Sequence, residues 1–235
     1  MTEKDGNVIG IIVAMPKELD SIRDGMTDVT EETISGILFS SGTLEGRRVV
    51  VALSGVGKVF AAICTEIMIF RYAPSLIVNT GIGGTLTPEA GIGDVVVATD
   101  VVQHDMDTSP IGDPIGMISG INVVHIDSDG EASERFCRAA SSCGCKVVRG
   151  TIASGDQFVA SRERKAEIVS LFGGAACEME GAAVGQVCYV NRVPFCVVRT
   201  ISDEADGSVA EDYPAFARRA AEKSTVVLRA FLRDA

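Results

Sequence analysis

Residues 177–206 read CEMEGAAVGQVCYVNRVPFCVVRTISDEAD, and the fold is decided here. Phe195–Val198 is a continuous apolar run, the pattern of a strand buried on both faces. Ahead of it, Gly181, Ala182, Ala183 and Gly185 form a small-residue run opened by Glu178, Met179 and Glu180, which predicts a tightly packed helix. After it comes Arg199-Thr-Ile-Ser-Asp203. In an α/β sheet, chemistry gathers beyond the carboxyl ends of the strands. Acidic groups at such edges, beside one arginine, are costly unless they work or are well paired. Two readings stay open on these residues alone: a structural ion pair of Arg199 with a nearby carboxylate, or a reactive site.

Outward from this stretch, the chain alternates strand and helix signals. Val8–Met15 (VIGIIVAM) predicts a central strand, and Pro16 fits the first turn of the helix after it. Glu18 then stands just past the strand end, where the helix dipole also favours a carboxylate. Residues 33–53 predict a meander of strands around Ser35-Gly36 and Leu44-Glu-Gly46. Ser54-Gly-Val-Gly-Lys58 leads into an apolar helix over 59–72; it lacks the phosphate-loop pattern, because Ala52 and Val59 stand at required positions. A buried strand over 75–79 runs into the loop Thr80-Gly81-Ile82-Gly83-Gly84, where backbone can approach a ligand closely; Leu86 breaks a dinucleotide fingerprint. Further strands are expected at 95–98 and 147–153, and helices at 131–142, 161–171 and from Asp212 almost to the end. Residues 108–130 are the longest irregular stretch. The pattern predicts one domain over 1–235, of α/β class, with a mostly parallel sheet between helical layers.

Composition narrows the partners. The chain has 235 residues, 46% of them hydrophobic, and a formal net charge of −11. That charge argues against a phosphate-backbone partner, which needs basic surface, so no nucleic acid is expected. No run of about 18 apolar residues exists, so no membrane span is expected. The polar start MTEKDGN is no signal peptide, and the seven cysteines sit mostly in apolar runs, as in a reducing compartment. A cytoplasmic protein is expected. Cys143-Gly-Cys145 lacks the usual zinc spacing, and His104-Asp-Met-Asp107 is a poor metal candidate in a chain with two histidines.

Seven blocks occur together and in order: IGIIVAMPKEL, SGVGKVFAA, NTGIGG, GIGDVVVA, ASGDQF, EMEGAAVGQVC and VPFCVVRTISDEAD. As a set they resemble the 5′-methylthioadenosine/S-adenosylhomocysteine nucleosidases of the nucleoside phosphorylase superfamily. The resemblance implies a three-layer α/β/α sandwich around a mixed, partly barrel-like sheet, a homodimer, and hydrolysis of the N-glycosidic bond of thio-linked adenine nucleosides without metal or organic cofactor. It implies that Glu18 activates the attacking water, that Asp203 protonates N7 of adenine, and that Arg199 orients the carboxylates. It places Glu180 on the ribose hydroxyls with Glu178 behind it, Met179 beside the sugar, Phe158 stacked on the base and the Val159 backbone at its edge. Met15 and Ile82 fall on the substrate side of their blocks. General acid help to a poor leaving group is worth about 10²–10⁴-fold, and nearby carboxylates stabilise an oxocarbenium-like sugar.

Two positions depart from the family pattern. Ile82 stands where relatives usually carry serine, and Thr85 where they carry glycine. Three alternatives remain beside the hydrolase: a phosphorylase of the same fold, a hydrolase of another purine nucleoside such as a futalosine-type one, and a non-catalytic nucleoside-binding protein. A phosphate site would want arginines near the first strand end and the NTG block, where this chain has Glu18 and Ile82.

Overall fold

The computed structural model describes residues 8–208 and 213–234. The first strand, β1 (Ile9–Val13), is buried at all five positions, which follows from its unbroken aliphatic run. Pro16 opens α1 (Pro16–Arg23) at a position whose N–H would have no helical partner. Three antiparallel strands follow: β2 (Thr27–Ile34), β3 (Ile37–Leu44) and β4 (Arg47–Leu53). Both connecting turns are two residues long, and both residues of each have positive φ: Ser35 (52°) with Gly36 (78°), and Glu45 (50°) with Gly46 (77°). That is the turn whose twist matches paired strands.

The chain then alternates: α2 (Lys58–Tyr72), β5 (Leu76–Thr85), β6 (Val95–Gln103), β7 (Ile126–Asp127), α3 (Gly130–Ser142) and β8 (Val147–Ser154). Next come α4 (Arg162–Phe172), β9 (Ala176–Glu178), α5 (Gly181–Asn191), β10 (Phe195–Asp203) and α6 (Tyr213–Arg233). Asp129 and Ser161 cap α3 and α4, their side chains accepting from Ala132 N and Arg164 N. The stretch 108–130, expected to be irregular, holds a 3-10 turn at Ser109–Ile111, an isolated bridge between Ile118 and Val123, and the short strand β7. The expected helix start at Asp212 lies outside the described residues.

The ten described strands form one sheet, nine of them in the order β10-β6-β8-β9-β5-β1-β4-β3-β2, with β7 paired to β6 off this path. β10 also pairs with β5, so β5, β10, β6, β8 and β9 close into a ring and the remaining path extends from it as an open wing. Five of the pairings described are parallel and five antiparallel. The sheet is therefore mixed rather than mostly parallel. The meander accounts for two antiparallel pairs, and closure of the ring through β10–β6 and β9–β5 for two more. Helices cover both faces. On one, α2 packs on α5 over Ile12, Phe39, Met68 and Val197. On the other, α1 and α3 pack on α6, with Phe136 and Phe231 stacked 3.8 Å apart. A third, smaller core gathers Val102, Ile168 and Phe172 under α4.

Several strands run further than their apolar cores suggest. β5 continues through Thr80-Gly81-Ile82-Gly83-Gly84, a stretch expected to be a loop because glycine is weak in strands. Its glycines answer to tertiary crowding instead. A Cβ on Gly81 would lie 2.7 Å from Glu18 Oε1, one on Gly83 2.9 Å from the Cys177 carbonyl, and one on Gly84 2.8 Å from Asp203 Oδ1. Likewise β10 continues past Val198 to Asp203, and β6 past Ala98 to Gln103. The closing of the ring thus depends on backbone approaching backbone at Gly83. Gly83→Ala is expected to force β5 and β9 apart and to lower the melting temperature by roughly 2–10 °C, the scale of an overpacking change of about 1–3 kcal/mol in a chain of this size. Thermal unfolding followed by circular dichroism checks this; an unchanged melting temperature would contradict the crowding argument.

Candidate active site

The strand ends place four carboxylates around one cavity of about 230 Å³. Glu18 lies in the first turn of α1, one turn past β1; Glu178 is the last residue of β9; Glu180 immediately precedes α5; Asp203 is the last residue of β10. All four are buried. All ten residues singled out from the sequence line this cavity: Glu18, Glu178, Glu180, Asp203 and Arg199, with Met15, Ile82, Phe158, Val159 and Met179. The cavity mouth carries Val56, which is exposed, and Phe158, which keeps 51% of its surface accessible, whereas Val159 is buried.

Arg199 fixes the arrangement. It is 2% exposed and the largest fully buried side chain described. Its guanidinium donates to the carbonyls of Asn79 (3.2 Å) and Val198 (3.0 Å), to Asn79 Oδ1 (2.5 Å) and to Glu178 Oε2. Glu180 Oε2 lies 3.8 Å from it. Glu178 is saturated: it also accepts from Ser154 Oγ, from the Glu180 N–H (3.1 Å) and from the Gly181 N–H (3.0 and 2.8 Å). The structural ion pair and the site are therefore the same cluster, with Glu178 as the pairing partner and the other carboxylates left to face the cavity.

Those others are held by fewer donors. Glu18 Oε2 accepts from the Ala14 and Met15 N–H groups (3.1 and 3.0 Å). Glu180 Oε1 accepts from the Gly57 N–H (2.9 Å), and Asp203 accepts from Ser202 Oγ (2.8 Å) and the Ala205 N–H (2.9 Å). Burial raises the pKa of Glu18, against the pull of the Met15 N–H and Arg199. Burial, then the charge of Glu178, pushes Glu180 up to about 7 even though Arg199 and the Gly57 N–H oppose it.

Residues 8–233 match the profile of the Phosphorylase superfamily. The chain belongs to this superfamily. A curated relative, the 5′-methylthioadenosine/S-adenosylhomocysteine nucleosidase of Shewanella loihica, is 37% identical over 227 residues, covering 96% of this chain and 98% of that one. A crystal structure of the nucleosidase of that name from Neisseria meningitidis, in complex with methylthio-immucillin-A, superposes with a TM-score of 0.93 at 35% identity, covering 97% of this chain and 100% of that one. The futalosine hydrolase of Helicobacter pylori superposes with a TM-score of 0.92 at 34% identity, over 97% and 98% of the two chains.

This member of the Phosphorylase superfamily departs from the expected block at Ile82 and Thr85, and the structure separates the two. Thr85 is buried, and its hydroxyl donates to the Thr87 carbonyl (2.9 Å). Ile82 lines the cavity, so an apolar side chain stands there. Sequence reasoning missed Asn79, which grips Arg199, Ser154, which grips Glu178, and Gly57, whose φ of 102° aims an N–H at Glu180. Only the glycine carried a signal, read as a tight turn. His104, weighed as a metal ligand, has Arg164 Nη2 2.9 Å from its Nδ1, while Asp105 is taken by Lys58 (2.6 Å). Among the described residues no group of three or more His, Cys, Asp or Glu is arranged to hold a metal ion.

The raised Glu180 makes a signed prediction. Below its ordinary value of 4.5 both folded and unfolded chains hold the proton. Between 4.5 and about 7 the unfolded chain has released it and the folded chain has not, so this group's contribution to stability falls as pH rises and stays lost above 7. Glutamine keeps an acceptor for Gly57 and does not titrate. Glu180→Gln should therefore gain stability relative to the wild type on going from pH 4 to pH 8, by about 1–3 kcal/mol. Paired urea titrations at the two pH values measure it; a pH-independent difference would refute the shift.

Proposed function

We propose that the chain hydrolyses the N-glycosidic bond of 5′-methylthioadenosine and S-adenosylhomocysteine, releasing adenine and the thio-ribose. One observation carries hydrolysis over phosphorolysis: four carboxylates line the cavity with a single guanidinium, whose N–H groups are engaged by Asn79, Val198 and Glu178. A phosphate dianion would find repulsion and little to donate to it. A ribosyl cation finds the opposite. Burial, and then the charges of Glu178 and Glu18, raise the cost of ionising Glu180. Positive charge developing on the sugar relieves that cost, so the cluster binds the transition state better than the ground state.

In this reading each lining residue has a role. Glu18, with a raised pKa, is a stronger base towards water than an ordinary carboxylate. Glu180 takes the ribose hydroxyls and Met179 packs on the sugar. Phe158 stacks on the base, and the Val159 backbone reads its edge. Asp203 delivers the proton to N7, oriented by Ser202 and the Ala205 N–H. Arg199 and Glu178 hold the frame. Ile82 lays an apolar wall beside Glu18, whose carboxylate relies on backbone N–H groups.

Asp203→Asn keeps the shape and can still accept from Ser202, but cannot surrender a proton to N7. Adenine release from methylthioadenosine is expected to fall by on the order of 10²-fold or more in kcat, with the melting temperature retained. A stable mutant with wild-type turnover would remove Asp203 from the mechanism. The same assay on AMP, whose phosphate must enter this acidic cavity, should give a kcat/KM at least about 100-fold lower than for methylthioadenosine; equal values would overturn the substrate class.

The assembly we propose is a homodimer. α2 and α5 pack together and present exposed Val59, Phe60, Ile63 and Phe70 from one and Tyr189 and Val190 from the other. Such apolar surface marks an interface, and in this assembly Ile111, 81% exposed, would close the neighbour's pocket. Light scattering should give twice the chain mass of 24.6 kDa, and Ile63→Glu should shift it to monomer. A fully active wild type at monomer mass would contradict this assembly.

A further inference from the structure

Behind the cavity rim, three segments meet in a ring of hydrogen bonds. The Lys58 N–H donates to Asp156 Oδ1 (2.8 Å), the Asp156 N–H donates to Asp105 Oδ2 (2.9 Å), and Lys58 Nζ donates to Asp105 Oδ1 (2.6 Å). The ring thus closes through both the backbone and the side chain of Lys58. Lys58 Nζ also donates to Gln103 Oε1 (3.0 Å), and Gln103 Nε2 donates to Gln186 Oε1 (2.6 Å) on α5. Burial disfavours the charge of Asp105, yet the Lys58 ammonium and the Asp156 N–H hold its carboxyl below the usual range.

Two ring members lead directly into the site. Lys58 follows Gly57, whose N–H holds Glu180. Asp156 precedes Gln157, Phe158 and Val159, all of which line the cavity. The contact between the two loops is close: a Cβ on Gly57 would lie 3.1 Å from Asp156 Oδ1. A single exposed ion pair such as Lys58–Asp105 contributes little, about 0–1 kcal/mol. Here it completes a ring whose other two bonds are to backbone N–H groups, so it fixes loop geometry more than it adds stability. On the other side of the same turn, Arg164 donates to Gln157 Oε1 (3.1 Å) and to the His104 carbonyl (3.1 Å).

We infer that Asp156 is a positioning residue: with Lys58 and Asp105 it sets the base-binding turn 157–159 against the glycine loop that holds Glu180. The inference rests on the nucleosidase reading above, because only a purine nucleoside bridges those two loops through its base and its ribose. Misplacing one loop by a fraction of an ångström weakens binding of the base without touching Glu18 or Asp203.

The test compares wild type, Asp156→Ala and Asp156→Asn by calorimetric titration with adenine, by kinetics on methylthioadenosine, and by melting. Asparagine Oδ1 still accepts from the Lys58 N–H; alanine does not. Asp156→Ala should raise both the adenine Kd and the KM about tenfold, with kcat within about threefold of wild type. Asp156→Asn should recover both to within about twofold. Unchanged Kd and KM in Asp156→Ala overturn the inference. So does equal impairment of the asparagine variant, or a loss seen only as lower kcat and melting temperature at constant KM, the mark of a merely structural residue. A wild type that neither binds adenine nor cleaves the nucleoside fails before any mutant is compared, and overturns the nucleosidase reading itself.

Discussion

A buried guanidinium organises this molecule. Arg199 sits inside the closed ring of strands at 2% exposure, where an unpaired charge would be untenable. It is satisfied from three strands at once: Asn79 on β5, Val198 on its own β10 and Glu178 on β9. Glu178 in turn is filled by Arg199, Ser154 and the backbone at the start of α5. Removing one partner of such a pair leaves a stranded charge, which typically costs about 3–5 kcal/mol. Because Glu178 takes most of what Arg199 donates, the remaining carboxylates are only partly compensated by it. The excess negative charge of the cavity is thus a consequence of how the ring is held shut.

The same crowding explains the glycines of β5. Gly81, Gly83 and Gly84 stand where Glu18, the Cys177 backbone and Asp203 approach. No side chain fits there, so the central strand of the ring reads as a loop in sequence while pairing with β1, β10 and β9 in space. Packing density and catalytic geometry are one constraint at these positions. Gly57 serves the opposite need: its positive φ turns an N–H towards Glu180.

Much of this was legible beforehand, for identifiable reasons. The apolar run of β1 and the one opening β10 announce buried strands, and Glu18 and Asp203 stand beyond or at their carboxyl ends. The seven blocks placed every candidate residue, and all of them line one cavity. What was not legible is long-range. β2 (TDVTEETI) is mostly exposed and carries no apolar alternation, so all but its last two residues went unseen. The β10–β5 and β10–β6 pairings that close the ring join segments over a hundred residues apart. Asn79, Ser154 and the Lys58–Asp105–Asp156 ring are polar residues whose partners only the fold brings near. Thr85, a visible departure, proved to be absorbed by Thr87, whereas Ile82 does face the cavity.

The central claim is that this carboxylate-rich cavity delivers water, not phosphate, to the anomeric carbon. A single turnover on methylthioadenosine in ¹⁸O-labelled water, with inorganic phosphate present, tests it most directly. The account predicts ¹⁸O on C1 of the released thio-ribose and no sugar phosphate. Thio-ribose 1-phosphate as the first product, without label from water at C1, would contradict it.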